Sequence, residues 1–212
     1  MIKEQMNKIY SSMDLDNIPW NVETPPDILD DLIKSKNLSP GKVIELGCGV
    51  GNYIRYFSGM GFDATGVDIS EKAIDIAREL AQKAGVTCEF IAADVLGDMS
   101  EIKSKYDFVY DWELLHHIYP EDRNKYIENV QKLLKPEGHY MSVCFSEESA
   151  QFGGLGKYRK TPIGTVLYFS NGAEIESLFS RLFCVEELKS IDIKGKKGIH
   201  KAIYALMRLK NG

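Results

Sequence analysis

The chain contains no CxxC pair, no apolar run long enough to span a bilayer, and no glycine at the closing position of a GxGxxG fingerprint. Each absence removes a class of protein. Cys48, Cys88, Cys144 and Cys184 are too widely spaced for a zinc site or a disulfide framework, so reduced thiols of a cytoplasmic protein are expected. The opening "MIKEQMNKIYSSMDLD" lacks the apolar centre of a signal peptide, and no membrane partner is expected. Basic residues are in the minority: 26 Lys and Arg against 31 Asp and Glu leave a net charge of -5. Nucleic-acid binding needs a basic face, so no such partner is expected. The two dense basic runs, "KYRK" at 157–160 and "KGKKGIHK" at 194–201, do not alternate with stacking aromatics in the manner of a nucleic-acid groove. The second reads as the solvated turn of a hairpin.

What is present suits one folded domain, because 212 residues with 44% hydrophobic and 27% charged side chains exclude disorder and leave no room for a second full domain. Short β-branched runs alternate with amphipathic segments: "KVIEL", "FDATGVD", "CEFIAAD", "YDFVYD" and "HYMSVCF" read as strands. Between them Ser70 is placed to cap "EKAIDIARELAQKA", which Gly85 ends, and Pro120 opens a helix with Tyr126, Ile127, Val130, Leu133 and Leu134 on one stripe. A further helix carries Ile175, Leu178, Phe179 and Leu182, and "CVEELKSIDI" and "IHKAIYALMRL" flank "KGKKG" as a hairpin. The fold class expected is a three-layer, Rossmann-like, doubly wound α/β sheet of seven strands, mostly parallel, ending in an antiparallel hairpin. One domain over 1–212 divides into an N-terminal helical cap (1–39), a cofactor-binding core (40–145), an acceptor lid (146–171) and a C-terminal helix with hairpin (172–212).

The stretch "VIELGCGVGNY" carries the first functional signal. A glycine-rich turn after a strand lets backbone approach a ligand. Here the pattern is GxGxG, Gly47, Gly49 and Gly51, with Glu45 just before it. A carboxylate beside a pyrophosphate would be repelled, so the loop suits a ligand without one. Asp68 ends the second strand about 20 residues on, where an acid accepts ribose hydroxyls. That spacing serves any adenosine. Asp94 ends the third strand in "IAADV", where its side chain and the next backbone N–H, that of Val95, are placed to read an adenine edge. Taken singly each acid is equally well a cap or turn former; three successive strand ends are harder to assign to chance.

At these residues the sequence resembles the class I S-adenosylmethionine-dependent methyltransferases: "VIELGCGVGN" is similar to their first motif, "GVDIS" to the ribose-binding acid, "AAD" to the adenine-contacting acid, and "LLKPEGHYMSV" to the strand entry after the fourth helix. The resemblance covers about residues 40 to 209. It implies S-adenosyl-L-methionine as cofactor, held by Trp20, Glu45, Gly47, Cys48, Gly49, Gly51, Asp68, Ile69, Asp94, Val95 and Asp111. The segment "YDFVYDWELLHHIYPEDRNKYIENVQKLLKPEGHYMSVCFS" and the upstream Pro19-Trp20 resemble the thiopurine, thiol and tellurite methyltransferase branch. That leans the acceptor toward a thiol or other soft nucleophile, with oxygen and nitrogen acceptors still open, and implies Asp111 shaping the acceptor site and Trp20 closing over the cofactor, unless Trp20 simply anchors an N-terminal helix.

Methyl transfer from a sulfonium needs alignment and exclusion of water, and a thiol needs no strong base. The acceptor is expected beyond the fourth strand, near Asp111, Trp112, Glu113, His116 and His117. His117 has the chemistry of a base, although "LLHHI" reads as the start of a helix, where a packed ring is the commoner role. No metal is expected. The glycine-rich stretch after Phe145 is too long for an ordinary connection, and Tyr158 and Arg159 within it would meet an anionic acceptor. A small-molecule methyltransferase, acting as monomer or homodimer, is the leading reading. An NAD-dependent reductase, a non-catalytic adenosine-ligand sensor and a nucleic-acid methyltransferase stand behind it; the last lacks an (N/D)PPY motif after the fourth strand.

Overall fold

The computed structural model describes residues 2–35, 40–196 and 198–210. The predicted cap boundary at residue 39 and Lys197 in the predicted hairpin turn lie outside them. Two helices come first, α1 (Ile2–Ser12) and α2 (Asp27–Ser35). The alternating core follows as β1 (Lys42–Leu46), α3 (Asn52–Gly59), β2 (Asp63–Asp68), α4 (Glu71–Ala84), β3 (Glu89–Ala92), β4 (Tyr106–Trp112), α5 (Pro120–Leu133) and β5 (Leu134–Phe145). After it come β6 (Tyr158–Lys160), β7 (Val166–Tyr168), α6 (Gly172–Phe179), β8 (Phe183–Gly195) and β9 (Gly198–Leu209). Seven strands form one sheet in the order β3-β2-β1-β4-β5-β9-β8. The first five run parallel, and β9 joins both β5 and β8 antiparallel. The short strands β6 and β7 pair separately inside the segment expected to be a lid.

Local chemistry accounts for the helix ends. The Ser70 hydroxyl accepts from the Ala73 backbone N–H at 3.1 Å, and Gly85 closes α4 at φ 67°, where a Cβ would be strained. Asn171 and Glu174 form a reciprocal capping box on α6. "LLHHI" is not the start of a helix: it makes one 3-10 turn (Leu115–His117), and α5 begins at Pro120. Proline disfavours helical backbone in the residue before it, and Tyr119 is accordingly extended, with ψ 158°. Leu182, assigned to the last helical stripe, falls beyond α6.

Apolar clusters cover both faces of the sheet. On one, Phe57 of α3 meets Phe62, Phe108 and Tyr110 with ring centroids 5.2, 6.3 and 5.4 Å away. On the other, α5 and α6 bury Tyr126, Ile127, Ile175 and Phe179 against Ile44, Val109 and Tyr140. Because side chains alternate along a strand, Phe108, Tyr110 and Trp112 point to the α3 side while Val109 points to the α5 side. The chain order reverses between β1 and β4, and the carboxyl ends of the strands open there into a crevice, the place where doubly wound sheets take ligands.

Candidate active site

A cavity of about 1190 Å³ occupies that crevice. It lies beyond the usual range of about 300–1,000 Å³ for one ligand, so it has room for two small molecules side by side. Glu45, Gly47, Cys48, Gly49, Asp68, Ile69, Asp94 and Val95 all line it, as do Trp20, Trp112, His116 and His117. The strand order spreads them across the crest: Asp94 follows β3, Asp68 ends β2, the glycine loop follows β1, and Trp112 and Glu113 sit at the tip of β4.

The glycine loop is shaped by what surrounds it. Gly49 has φ 52°, and a Cβ there would lie 2.8 Å from the Tyr10 hydroxyl of α1; one on Gly47 would lie 2.9 Å from Leu114. Backbone angle requires glycine at both positions, and at Gly47 the Leu114 side chain leaves no space either. The Gly47 and Cys48 N–H groups donate to the Val67 carbonyl at 2.7 and 2.9 Å, and the Gly49 N–H donates to Asp68 Oδ2 at 2.9 Å. Asp68 Oδ1 accepts from the Ser70 N–H at 2.9 Å. Each carboxylate oxygen therefore keeps acceptor capacity for a ligand hydroxyl. Gly51 does not line the cavity: it precedes α3 in left-handed conformation, and a Cβ there would strike Phe90. Its role is packing of α3 against β3.

Glu45 is 3% exposed, and its carboxyl is buried against the Tyr110 hydroxyl. Burial, reinforced by Asp68 and Asp111, pushes the Glu45 carboxyl up to about 8. Burial also raises Asp68. A buried carboxyl beside two further acids favours a cation as its neighbour. Asp94 is exposed and accepts the Leu96 N–H at 2.8 Å, with Val95 beside it in the wall.

Trp20 follows a turn at Pro19 and lines the cavity, its indole N–H donating to the Tyr10 hydroxyl at 2.8 Å and its ring edge-on to His117 at 6.4 Å. Burial holds His117 down at about 4, so its imidazole is neutral at pH 7. His116 stacks on Phe145 at 4.1 Å, and its Nδ1 accepts the Phe145 N–H at 3.4 Å.

Three expected acceptor-side residues stand elsewhere. Asp111 is fully buried and absent from the cavity wall. Its Oδ2 accepts from the Tyr126 and Tyr140 hydroxyls at 3.0 and 2.6 Å and its Oδ1 from the Ser142 hydroxyl at 3.1 Å. Strand alternation is the reason: Asp111 points toward α5 while its neighbours Tyr110 and Trp112 point the other way. Arg159 also stays out of the cavity. Its guanidinium donates to the carbonyls of Glu147, Ser149, Gln151 and Gly156 and lies 4.0 Å from the Phe169 ring centroid, leaving little for an anionic acceptor. Tyr158 is exposed and packs edge-on to Tyr119 and Tyr168.

Two participants had no sequence signal of their own. Tyr10 reaches the glycine loop from α1. His200, on β9, holds Glu113 Oε1 through its Nε2 at 2.7 Å, and both line the cavity. Among the described residues no group of three or more His, Cys, Asp or Glu is arranged to hold a metal, and no helix is long and apolar enough to cross a membrane.

The strand order, with the crevice at the strand tips, is that of the class I methyltransferase type. Residues 43–138 match the methyltransferase domain family. The ubiquinone biosynthesis O-methyltransferase of Paraburkholderia phytofirmans is 31% identical over 168 residues, 75% of this chain and 69% of that protein. Its counterpart from Bordetella avium is 33% identical over 137 residues, 62% of this chain and 56% of that protein. The chain spans about half the length of several such relatives. A solved structure described under the conversion of a disulfide bond into a thioacetal group during echinomycin biosynthesis superposes with a TM-score of 0.82, covering 99% of this chain and 93% of that one at 21% identity. The chain belongs to the S-adenosylmethionine-dependent methyltransferase family.

Proposed function

We propose that the protein transfers the methyl group of S-adenosylmethionine to a small, largely apolar acceptor. The observation that carries this reading is the set of acidic groups at three successive strand tips, Glu45, Asp68 and Asp94, all lining one cavity. That set fits a donor with a cationic tail, a ribose and an adenine, and no phosphate. Asp68 would hold the ribose, Asp94 and Val95 the adenine edge, Glu45 the cationic portion, and Trp20 would wall the donor from water. When bound, the donor supplies an electrophilic methyl group, and the protein's task is alignment and desolvation. Residues 146–171 cover the acceptor half: Phe152, Thr161, Thr165 and Leu167 of that segment line the cavity.

The resemblance to the thiol and tellurite branch argues for a soft nucleophile. The names of the curated relatives argue for oxygen, and the displacement of Asp111 from the cavity removes the residue that tied the acceptor site to that branch. Mass spectrometry of a metabolite extract incubated with protein and donor tests the reading; a species heavier by one methylene is expected, and none would leave only a donor-binding protein.

Glu45 makes donor binding proton-linked. Its folded-state carboxyl, near 8 against an ordinary 4.5, holds a proton that a cationic ligand would displace. Calorimetry at pH 7 in buffers of different ionisation enthalpy is expected to show release of close to one proton per donor bound, and Glu45→Gln to abolish it. The same shift fixes the sign for the free protein. Between about pH 4.5 and 8 the folded chain binds more protons than the unfolded one at this group, so its contribution to stability declines as pH rises through that window. Glu45→Gln should flatten that decline in a thermal-melt series.

A further inference from the structure

Glu113 is one of two non-glycine residues with positive φ among the described residues, at 61°, and it stands at the tip of β4. Left-handed backbone in a glutamate is kept only where the surroundings enforce it, and such outliers gather at functional sites. Here the Glu113 N–H is tied to the Val143 carbonyl at 2.8 Å and its carboxylate to His200 at 2.7 Å, which turns the side chain into the cavity wall. The His200 ring is itself fixed, edge-on to Phe145 at 4.7 Å. A carboxylate accepts hydrogen bonds only, so His200 Nε2 carries the hydrogen that Glu113 receives. With adenine, ribose and tail assigned to the tips of β3, β2 and β1, the next tip in the sheet is that of β4. Glu113 stands just beyond that tip.

We propose that Glu113 is the acceptor-side base, with His200 as its positioning residue, and that the substrate class is small apolar molecules bearing a hydroxyl, phenols or enols. The inference rests on the methyl-transfer reading above. In the step, the acceptor O–H bond breaks and its hydrogen passes to the Glu113 carboxylate. The oxygen electron pair forms the new C–O bond while the S–CH3 bond breaks, its electrons neutralise the sulfonium, and the proton then leaves Glu113 for solvent. The other polar groups nearby are less suited. Asp111 does not reach the cavity, His116 is committed to the Phe145 N–H, and burial holds His117 well below the usual imidazole range, which makes it a weak base. Trp112, Phe145 and Ile193 give this half of the cavity apolar walls.

The test compares the wild type, Glu113→Gln and His200→Gln against phenols of graded acidity, 4-nitrophenol and thiophenol, with donor affinity measured in parallel by calorimetry. Glu113→Gln is expected to lower kcat by about 10²- to 10⁴-fold on ordinary phenols. The loss should shrink toward none on 4-nitrophenol and thiophenol, which ionise without help, and donor affinity should be unchanged. His200→Gln should lower kcat by a smaller factor with the same dependence on acceptor acidity and little change in KM. A loss equal across the series, no loss, or a wild type that binds donor yet methylates none of the phenols would overturn the assignment while leaving the donor site standing. A wild type that binds no donor would instead overturn the reading beneath it.

Discussion

Replacing Asp68 with alanine is expected to weaken S-adenosylmethionine binding by about 3 kcal/mol, roughly 150-fold, because hydrogen bonds to a charged acceptor are worth about 1.5–3 kcal/mol each and the side chain is placed to take two. The carboxylate also braces the donor loop: it accepts the Gly49 and Ser70 N–H groups from opposite sides, so its loss leaves both amides without their partner and loosens the turn. Asp68→Asn separates the two effects. It keeps one acceptor oxygen and the bulk of the side chain, so an intermediate loss is expected. Calorimetric titration of both variants checks this, and unchanged affinity in Asp68→Ala would remove the ribose assignment.

The second large effect concerns stability. Asp111→Ala is expected to cost about 3–5 kcal/mol, because three buried hydroxyls, of Tyr126, Tyr140 and Ser142, lose the acceptor they share. For a chain of this length each kcal/mol moves the midpoint by about 2–4 °C, so Tm should fall by roughly 6–20 °C. Burial raises the Asp111 carboxyl to about 6, with the three hydroxyls pulling the other way. At pH 7.5 it is thus mostly an ionised acceptor within the core. Donor affinity measured below the melt should stay within about twofold of the wild type. A variant that folds normally but loses turnover would restore Asp111 to the acceptor site.

The fold was legible in the sequence because its signals are local. The β-branched runs, the Ser70 cap, the Gly85 stop and Pro120 each act within a few residues, and their alternation admits few topologies. That Glu45, Asp68 and Asp94 line the crevice was legible for a related reason: strand tips on a parallel sheet all open to one crevice, so an acid ending a strand lands there whichever face its neighbours cover. The acceptor half was not. In "YDFVYDWE" acids and aromatics alternate, but both faces of β4 are buried, so the pattern does not say which parity faces the cavity. Asp111 therefore looked accessible and is not. The Glu113–His200 contact joins residues 87 apart across β5, and no periodicity records a pairing of that range. Arg159 stood out as a free cation, yet the tight turns around it supply carbonyls that take up most of its donors, which only the folded segment reveals.

In the proposed complex adenosine lies across the tips of β3, β2 and β1. A crystal structure of the protein with S-adenosylhomocysteine tests it most directly. The expected density places ribose hydroxyls on Asp68, the adenine edge beside Asp94 and Val95, and the amino group within reach of Glu45. Ligand bound elsewhere, or a crest that stays empty at saturating concentration, would contradict it.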